Sequence, residues 1–214
     1  MNARKKILIT GFDPFGGASI NPAWEAVRQL PSEIDGVAVV TCEIPTVFNK
    51  SIDMLLAAIE KESPDTVLCV GQAGGRPNIT VERVAINCDD APIDDNAGNR
   101  PTDNPVVTGA PTAYFSTLPI KSMVQDMLAA GIPAAVSNTA GTFVCNHLMY
   151  GTLHHAATHR PHMKAGFVHI PYLPQQTVSS PSMSVDNVVA GLKCMIKTIA
   201  NADEDAAIGG GATH

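Results

Sequence analysis

The chain has 214 residues, of which 45% are hydrophobic and 16% charged, and a formal net charge of -6. That length and apolar share suit one domain with a substantial core. The acidic balance excludes the basic footprint of a nucleic-acid binder and argues against docking on an anionic membrane surface.

Helices and strands alternate along the chain. The apolar run in "MNARKKILITGF" is too short for a signal-peptide core or a membrane span, and residues 6–10 read as a buried strand. Asn21-Pro22 then opens a helix, Asn as cap and Pro at the first helical position, with Trp24, Val27 and Leu30 at helical spacing. "VAVVTCEI", 37–44, reads as the next strand, and Ile52, Leu55, Leu56 and Ile59 mark one face of the helix after it. "TVLCVG", 66–71, is continuously apolar, as a strand buried on both faces must be.

Residues 78–88, "NITVERVAINC", alternate as one strand of a hairpin or extension, and residues 89–112, rich in Asp, Asn, Pro and Gly, read as a long ordered loop. Met123, Val124, Met127 and Leu128 predict a helix ended by Gly131, and "AAVSN", 134–138, a strand. Residues 145–159 predict a helix despite Gly151, and "GFVHI", 166–170, another strand. The last helix runs from about Val185 to Ile199 with Ser184 as cap. No repeat, low-complexity linker or break in composition divides the chain, so one domain is expected over 1–214, with a loose tail from about 207. The alternation implies a mostly parallel sheet with helices on both faces, and in such folds ligands bind beyond the carboxyl ends of the strands.

The glycine-rich turn after the first strand, "ITGFDPFGGA", invites a phosphate-loop reading. It matches neither G-x-G-x-x-G nor G-x-x-x-x-G-K-[ST], since Ala18 stands where the lysine belongs. Phe12 and Phe15 are left either as core rings or as walls of an apolar pocket. The five cysteines are Cys42, Cys69, Cys88, Cys145 and Cys194, widely spaced and without a C-x-x-C pair. They fit neither a disulfide framework nor a zinc site, suit a reducing compartment, and lead to a cytoplasmic reading.

Among them only Cys145 has the strand–turn–helix setting of a nucleophile. "SNTAGTFVCN" brings it into the first turn of a helix, where orphan amides and the helix dipole favour a thiolate and can hold an oxyanion. A base is then needed. His147 points elsewhere, and His154, His155 and His159 lie late in the helix; His155 and His159 are four apart but show no third metal ligand. His169 lies at the carboxyl end of its strand, where the strand rule places active sites. Glu82, a charge in an otherwise apolar strand, is the candidate to orient the imidazole, with a surface ion pair to Arg83 as the competing reading.

The chain resembles the pyroglutamyl peptidase I family of cysteine peptidases. The resemblance rests on "ILITGFDPFGGASINPAWEAV", "VGQAGGRPNITVERVAIN", "DDNAGNRP", "GIPAAVSNTAGTFVCNHLMYG", "GFVHIPYLPQQ" and "PSMS", in order from Lys6 to about Ser184. It implies an open α/β/α sandwich and removal of N-terminal pyroglutamate from peptides through a thioester. It implies a triad of Glu82, Cys145 and His169, and Phe12, Phe15, Gln72, Phe143 and Val144 around the substrate. It implies no metal or organic cofactor, peptide substrates rather than nucleic acid or membrane, and a homodimer or homotetramer. One departure stands out. The family pattern "DDARIPDN" is here "DDAPIDDN", with Pro92 in place of an Arg near the catalytic centre and Asp94 in place of a Pro. A lost cation and an added carboxylate predict a raised Cys145 pKa, with Arg76 and Arg83 as the cations at hand. They also raise a second reading, a pyroglutamyl-binding protein with impaired turnover.

Overall fold

The first apolar run becomes an inner strand of a sheet. In the computed structural model, which describes residues 5–202 and 204–211, β1 (Lys6–Phe12) is buried from Ile7 onward. α1 (Pro22–Val27) starts as its sequence dictates, the Asn21 side chain accepting from the Ala23 amide. There follow β2 (Glu33–Ile34), β3 (Val37–Ile44), α2 (Lys50–Glu62), β4 (Thr66–Gln72), β5 (Ile79–Glu82), β6 (Val84–Ile86) and β7 (Ala113–Phe115). The chain continues with α3 (Ile120–Ala129), β8 (Ala134–Ser137), α4 (Val144–His159), β9 (Lys164–Ile170) and α5 (Val185–Asn201). Among the described residues no helix is long and apolar enough to cross a membrane.

Seven strands form one sheet in the order β2-β3-β1-β4-β9-β5-β8. β3, β1, β4 and β9 run parallel, β5 and β8 are parallel to each other, and β5 meets β9 antiparallel. The pleat sends alternate side chains to opposite faces, and each face carries its own core. Ile7, Ile9, Leu68, Val70, Ile79 and Val81 meet α1, α3 and α5. Leu8, Phe12, Val67, Cys69 and Phe167 meet α2 and α4. The result is a three-layer α/β/α sandwich on a mostly parallel sheet.

The alternating segment 78–88 is two strands rather than one. At Arg83 the backbone changes partner: its amide donates to Ser137 of β8, whereas its carbonyl accepts from Ser116 beyond β7. The chain then leaves the sheet as the two-stranded β6–β7 ribbon, a pairing that the three short residues "AYF" of β7 do not announce. The long loop between them is ordered by side chains standing in for backbone pairing. Asn87 bonds Val107 at both ends of its amide, and the buried Asp95 carboxylate accepts from the amides of Phe48, Ala97 and Asn99. The described end of the chain lies against α3, with Asp205 accepting from the amides of Lys121 and Ser122. Residues 212–214 of the expected loose tail lie outside the described residues.

Gly11, inside β1, has a packing cause. A Cβ on Gly11 would lie 2.8 Å from the backbone of Ala23 and Trp24, so only glycine lets α1 sit directly on β1. Backbone cannot yield as a flexible side chain does. Gly11→Ala is therefore expected to cost about 3 kcal/mol, read as a lower urea midpoint with an unchanged slope.

Candidate active site

β5 reads Ile-Thr-Val-Glu, and its alternation sends Ile79 and Val81 to one core and Thr80 and Glu82 to the other face. Thr80 stands opposite His169 in the antiparallel pair with β9. Glu82, one pleat further, reaches His169 along the diagonal. Its Oε1 lies 2.7 Å from His169 Nδ1 and accepts from Arg76 Nη1 at 2.7 Å. Glu82 is fully buried and His169 is 4% exposed.

Arg76 comes from the turn "GGRPN" between β4 and β5. Its Nη1 also donates to Thr80 Oγ1 at 2.7 Å, and its Nη2 to the Thr139 carbonyl at 3.2 Å. Burial by itself pushes the Glu82 carboxyl up, but hydrogen bonds from His169, Ser137 and Arg76 outweigh it and hold the group below the ordinary value. An ionised carboxylate only accepts, so the His169 proton sits on Nδ1 and Nε2 is left as the basic nitrogen.

On the other side of β9, His169 is level with Gly71 of β4. A Cβ on Gly71 would lie 2.9 Å from Cys145 Sγ and 2.7 Å from the Phe167 ring. A bare backbone there is what lets the thiol approach the sheet, and the Phe167 and His169 rings are in contact at 4.8 Å between centroids. Cys145 lies in the first turn of α4 and is partly exposed. The helix starts at Phe143, whose side chain offers no cap, after a left-handed Gly141. First-turn amides have no partner within their own helix.

The resting thiol differs from the expectation of a thiolate at a helix N-terminus. Burial pushes Cys145 up to about 12, Glu82 adds to the rise, and Arg76 opposes it. Asp94, one of the two residues that depart from the family pattern, is not among the causes. Asp94 is exposed and 4.0 Å from Arg100, which also donates to the Pro92 carbonyl. Arg83 turns away to Asn138 and Gly210, so of the two arginines considered only Arg76 stands at the buried carboxylate.

The remaining expected site residues divide. Phe15 is partly exposed, with its ring 6.3 Å from that of Phe143, and Gln72 ends β4 beside it on the same open cleft. Phe12 is 2% exposed and packs on Phe167, behind the reacting centre rather than around it. Val144 is wholly buried, so only its backbone faces the site. His147 lies on another side of α4, its Nδ1 2.8 Å from Asp89 and its Nε2 accepting from the Asn49 amide. His155 and His159 stack on each other, and no third metal-ligating side chain joins them among the described residues. Sequence reasoning missed Gln176, which bonds Gln72; nothing in "LPQQT" tells it from Gln175.

Comparison with known proteins agrees with this fold. The family model for pyroglutamyl peptidase matches residues 5–202. The pyrrolidone-carboxylate peptidase of Alkaliphilus oremlandii is 60% identical over 210 residues, covering 97% of this chain and 99% of that protein. The crystal structure of pyroglutamyl peptidase I from Bacillus amyloliquefaciens superposes with a TM-score of 0.95 at 50% identity, covering 96% of this chain and all of that one. The pyrrolidone carboxyl peptidase from Thermococcus litoralis has a TM-score of 0.93 at 35% identity, covering 96% of this chain and 99% of that one.

The Arg76–Glu82 pair carries a stability prediction with a defined sign. The Glu82 pKa is lowered from 4.5 on folding. The ionised group thus adds stability above that pH, which is lost as pH falls through the lowered value. Arg76→Met leaves the carboxylate buried with less compensation. It is expected to destabilise by about 3 kcal/mol at neutral pH and to move the acid-unfolding midpoint to higher pH, read by circular dichroism.

Proposed function

The chain belongs to the pyroglutamyl peptidase family of cysteine peptidases, and we propose that it removes N-terminal pyroglutamate from peptides by acyl transfer through Cys145. The observation that carries this reading is the Glu82–His169 pair at 2.7 Å, on the sheet face where Gly71 admits the Cys145 thiol. His169 Nε2 takes the Cys145 proton as sulfur attacks the pyroglutamyl carbonyl. Glu82 holds the ring in the Nδ1–H tautomer and stabilises the imidazolium. First-turn amides of α4 receive the oxyanion. His169 then returns the proton to the departing amine, leaving a thioester that water hydrolyses.

Pyroglutamate is a small neutral lactam, suited to an apolar wall with few hydrogen bonds. Phe15 and Phe143 are the rings placed to supply it, and a ring there disfavours a free charged amine. Phe12 supports Phe167 from the core. Unpaired cysteines throughout the described residues accord with a cytoplasmic enzyme, and family membership with a homo-oligomer. Pro92 in place of the family Arg is what favours the competing reading, a pyroglutamyl-binding protein without turnover.

Release of the amine from a pyroglutamyl amide, against the same amide of free glutamate, decides between the two. Turnover confined to the pyroglutamyl substrate supports the peptidase, and binding without turnover supports the alternative. Cys145→Ser is expected to lower kcat by at least about a thousandfold, and undiminished turnover would remove Cys145 from its role. Phe15→Ala is expected to raise KM about tenfold with kcat largely kept. Phe12→Ala should instead lower stability by about 3–5 kcal/mol, read by chemical denaturation.

A further inference from the structure

Beyond Phe15 the surface opens into a cleft of about 920 Å³, bounded by the glycine-rich turn after β1 on one side and by Tyr172 and residues 175–180 on the other. Its lining contains no Asp, Glu, Lys, Arg or His. Gln72 stands at its inner end, one residue beyond the Gly71 that touches the Cys145 thiol.

The orientation of the Gln72 amide is fixed by a chain of hydrogen bonds that begins on a backbone donor. The Leu173 amide N–H donates to Gln176 at 2.9 Å, so the Gln176 atom facing it must be Oε1. The Gln176 NH2 group is thereby turned to Gln72, and it donates to Gln72 Oε1 at 3.0 Å. With its oxygen engaged, Gln72 has its own NH2 group left to present to the cleft. Both glutamines are only partly exposed, and the chain of bonds holds each in one of its two amide orientations.

Resting on the peptidase reading above, we infer that this cleft is the subsite for the peptide chain on the leaving side of the scissile bond, and that Gln176 acts as a positioning residue. It holds the Gln72 side-chain amide as a donor to the first peptide carbonyl beyond that bond. Uncharged amides and hydroxyls, set among apolar Phe15, Ile20 and Ile93, are complementary to main-chain groups and small side chains of a peptide. Phe15, which lines the cleft and approaches Phe143, marks its boundary with the pyroglutamyl ring.

Gln176→Glu tests the orientation directly. A carboxylate still accepts from Leu173 but has no hydrogen for Gln72. Gln72 must then turn its NH2 group to the introduced carboxylate and its oxygen to the cleft, replacing the donor by an acceptor. The assay compares pyroglutamyl-alanyl-alanine amide with pyroglutamyl p-nitroanilide, which has no carbonyl beyond the scissile amide. The expected result is a fall of about tenfold in the ratio of kcat/KM for peptide over anilide, carried by KM of the peptide.

The same substitution placed in a Gln72→Leu background should leave that ratio where Gln72→Leu alone puts it, because the group it reorients is gone. An unchanged ratio in folded Gln176→Glu enzyme overturns the inference. So does a Gln176→Glu effect of equal size in the Gln72→Leu background, which would show that Gln176 acts by itself. If the unmodified chain hydrolyses neither substrate, it is the peptidase reading that fails. A ratio that does not move in an active enzyme removes only the subsite.

Discussion

One buried carboxylate organises the site. Glu82 lies under the sheet edge with no exposure, and a charge so placed is tolerated only when partnered. Its partners come from two separate stretches: Arg76 from the turn before β5 and His169 from β9. The same guanidinium ties Thr80 and the Thr139 carbonyl into the arrangement. The antiparallel entry of β5 beside β9 is thus held by charge as well as by its ladder. That reversal is what brings a carboxylate alongside a histidine at the carboxyl end of a parallel strand.

The helix that bears Cys145 is constrained from all sides, which keeps the thiol in place and also raises its pKa. The β6–β7 ribbon and the loop between its strands cover the side of α4 that faces away from the sheet. Asn146, next to Cys145, accepts from the Ile86 amide and donates to the carbonyls of Ile86 and Cys88. On the opposing helix, Ile52 fills the notch at Gly151, where a Cβ would lie 2.3 Å from its Cδ1. Burial is the largest cause of the raised thiol pKa, ahead of Glu82.

Aromatic packing links this scaffold to the open side of the site. His147, tied to Asp89 and the Asn49 amide, meets Phe48 edge-on at 5.2 Å; Phe48 meets Phe143 edge-on at 5.4 Å; and Phe143 approaches Phe15. The Asp95 carboxylate fixes the Phe48 amide in the same stroke. The irregular segment rich in Asp and Asn therefore supports the aromatic wall from behind, which accounts for so long a loop being ordered.

Much of this was legible in the residues. Continuous apolar runs such as "TVLCVG" can only be inner strands, and Asn21-Pro22 and Ser184 marked helix starts by satisfying specific amides. A cysteine in the first helical turn and a histidine ending a strand pointed to one chemistry through local context, and the motifs around Glu82, Cys145 and His169 pointed to one family. What the sequence did not contain was anything that depends on register between distant strands. The strand rule placed His169 and Gln72, whereas Glu82 lies on a strand running the other way. The break at Arg83, the division of Phe12 from Phe15 and the turning of Gln72 by Gln176 follow from which residues end up opposite one another. Local propensity and periodicity act over a few residues. Burial, and hence the ionisation of Cys145 and Glu82, is set by neighbours brought from the rest of the chain, and only the tertiary structure decides it.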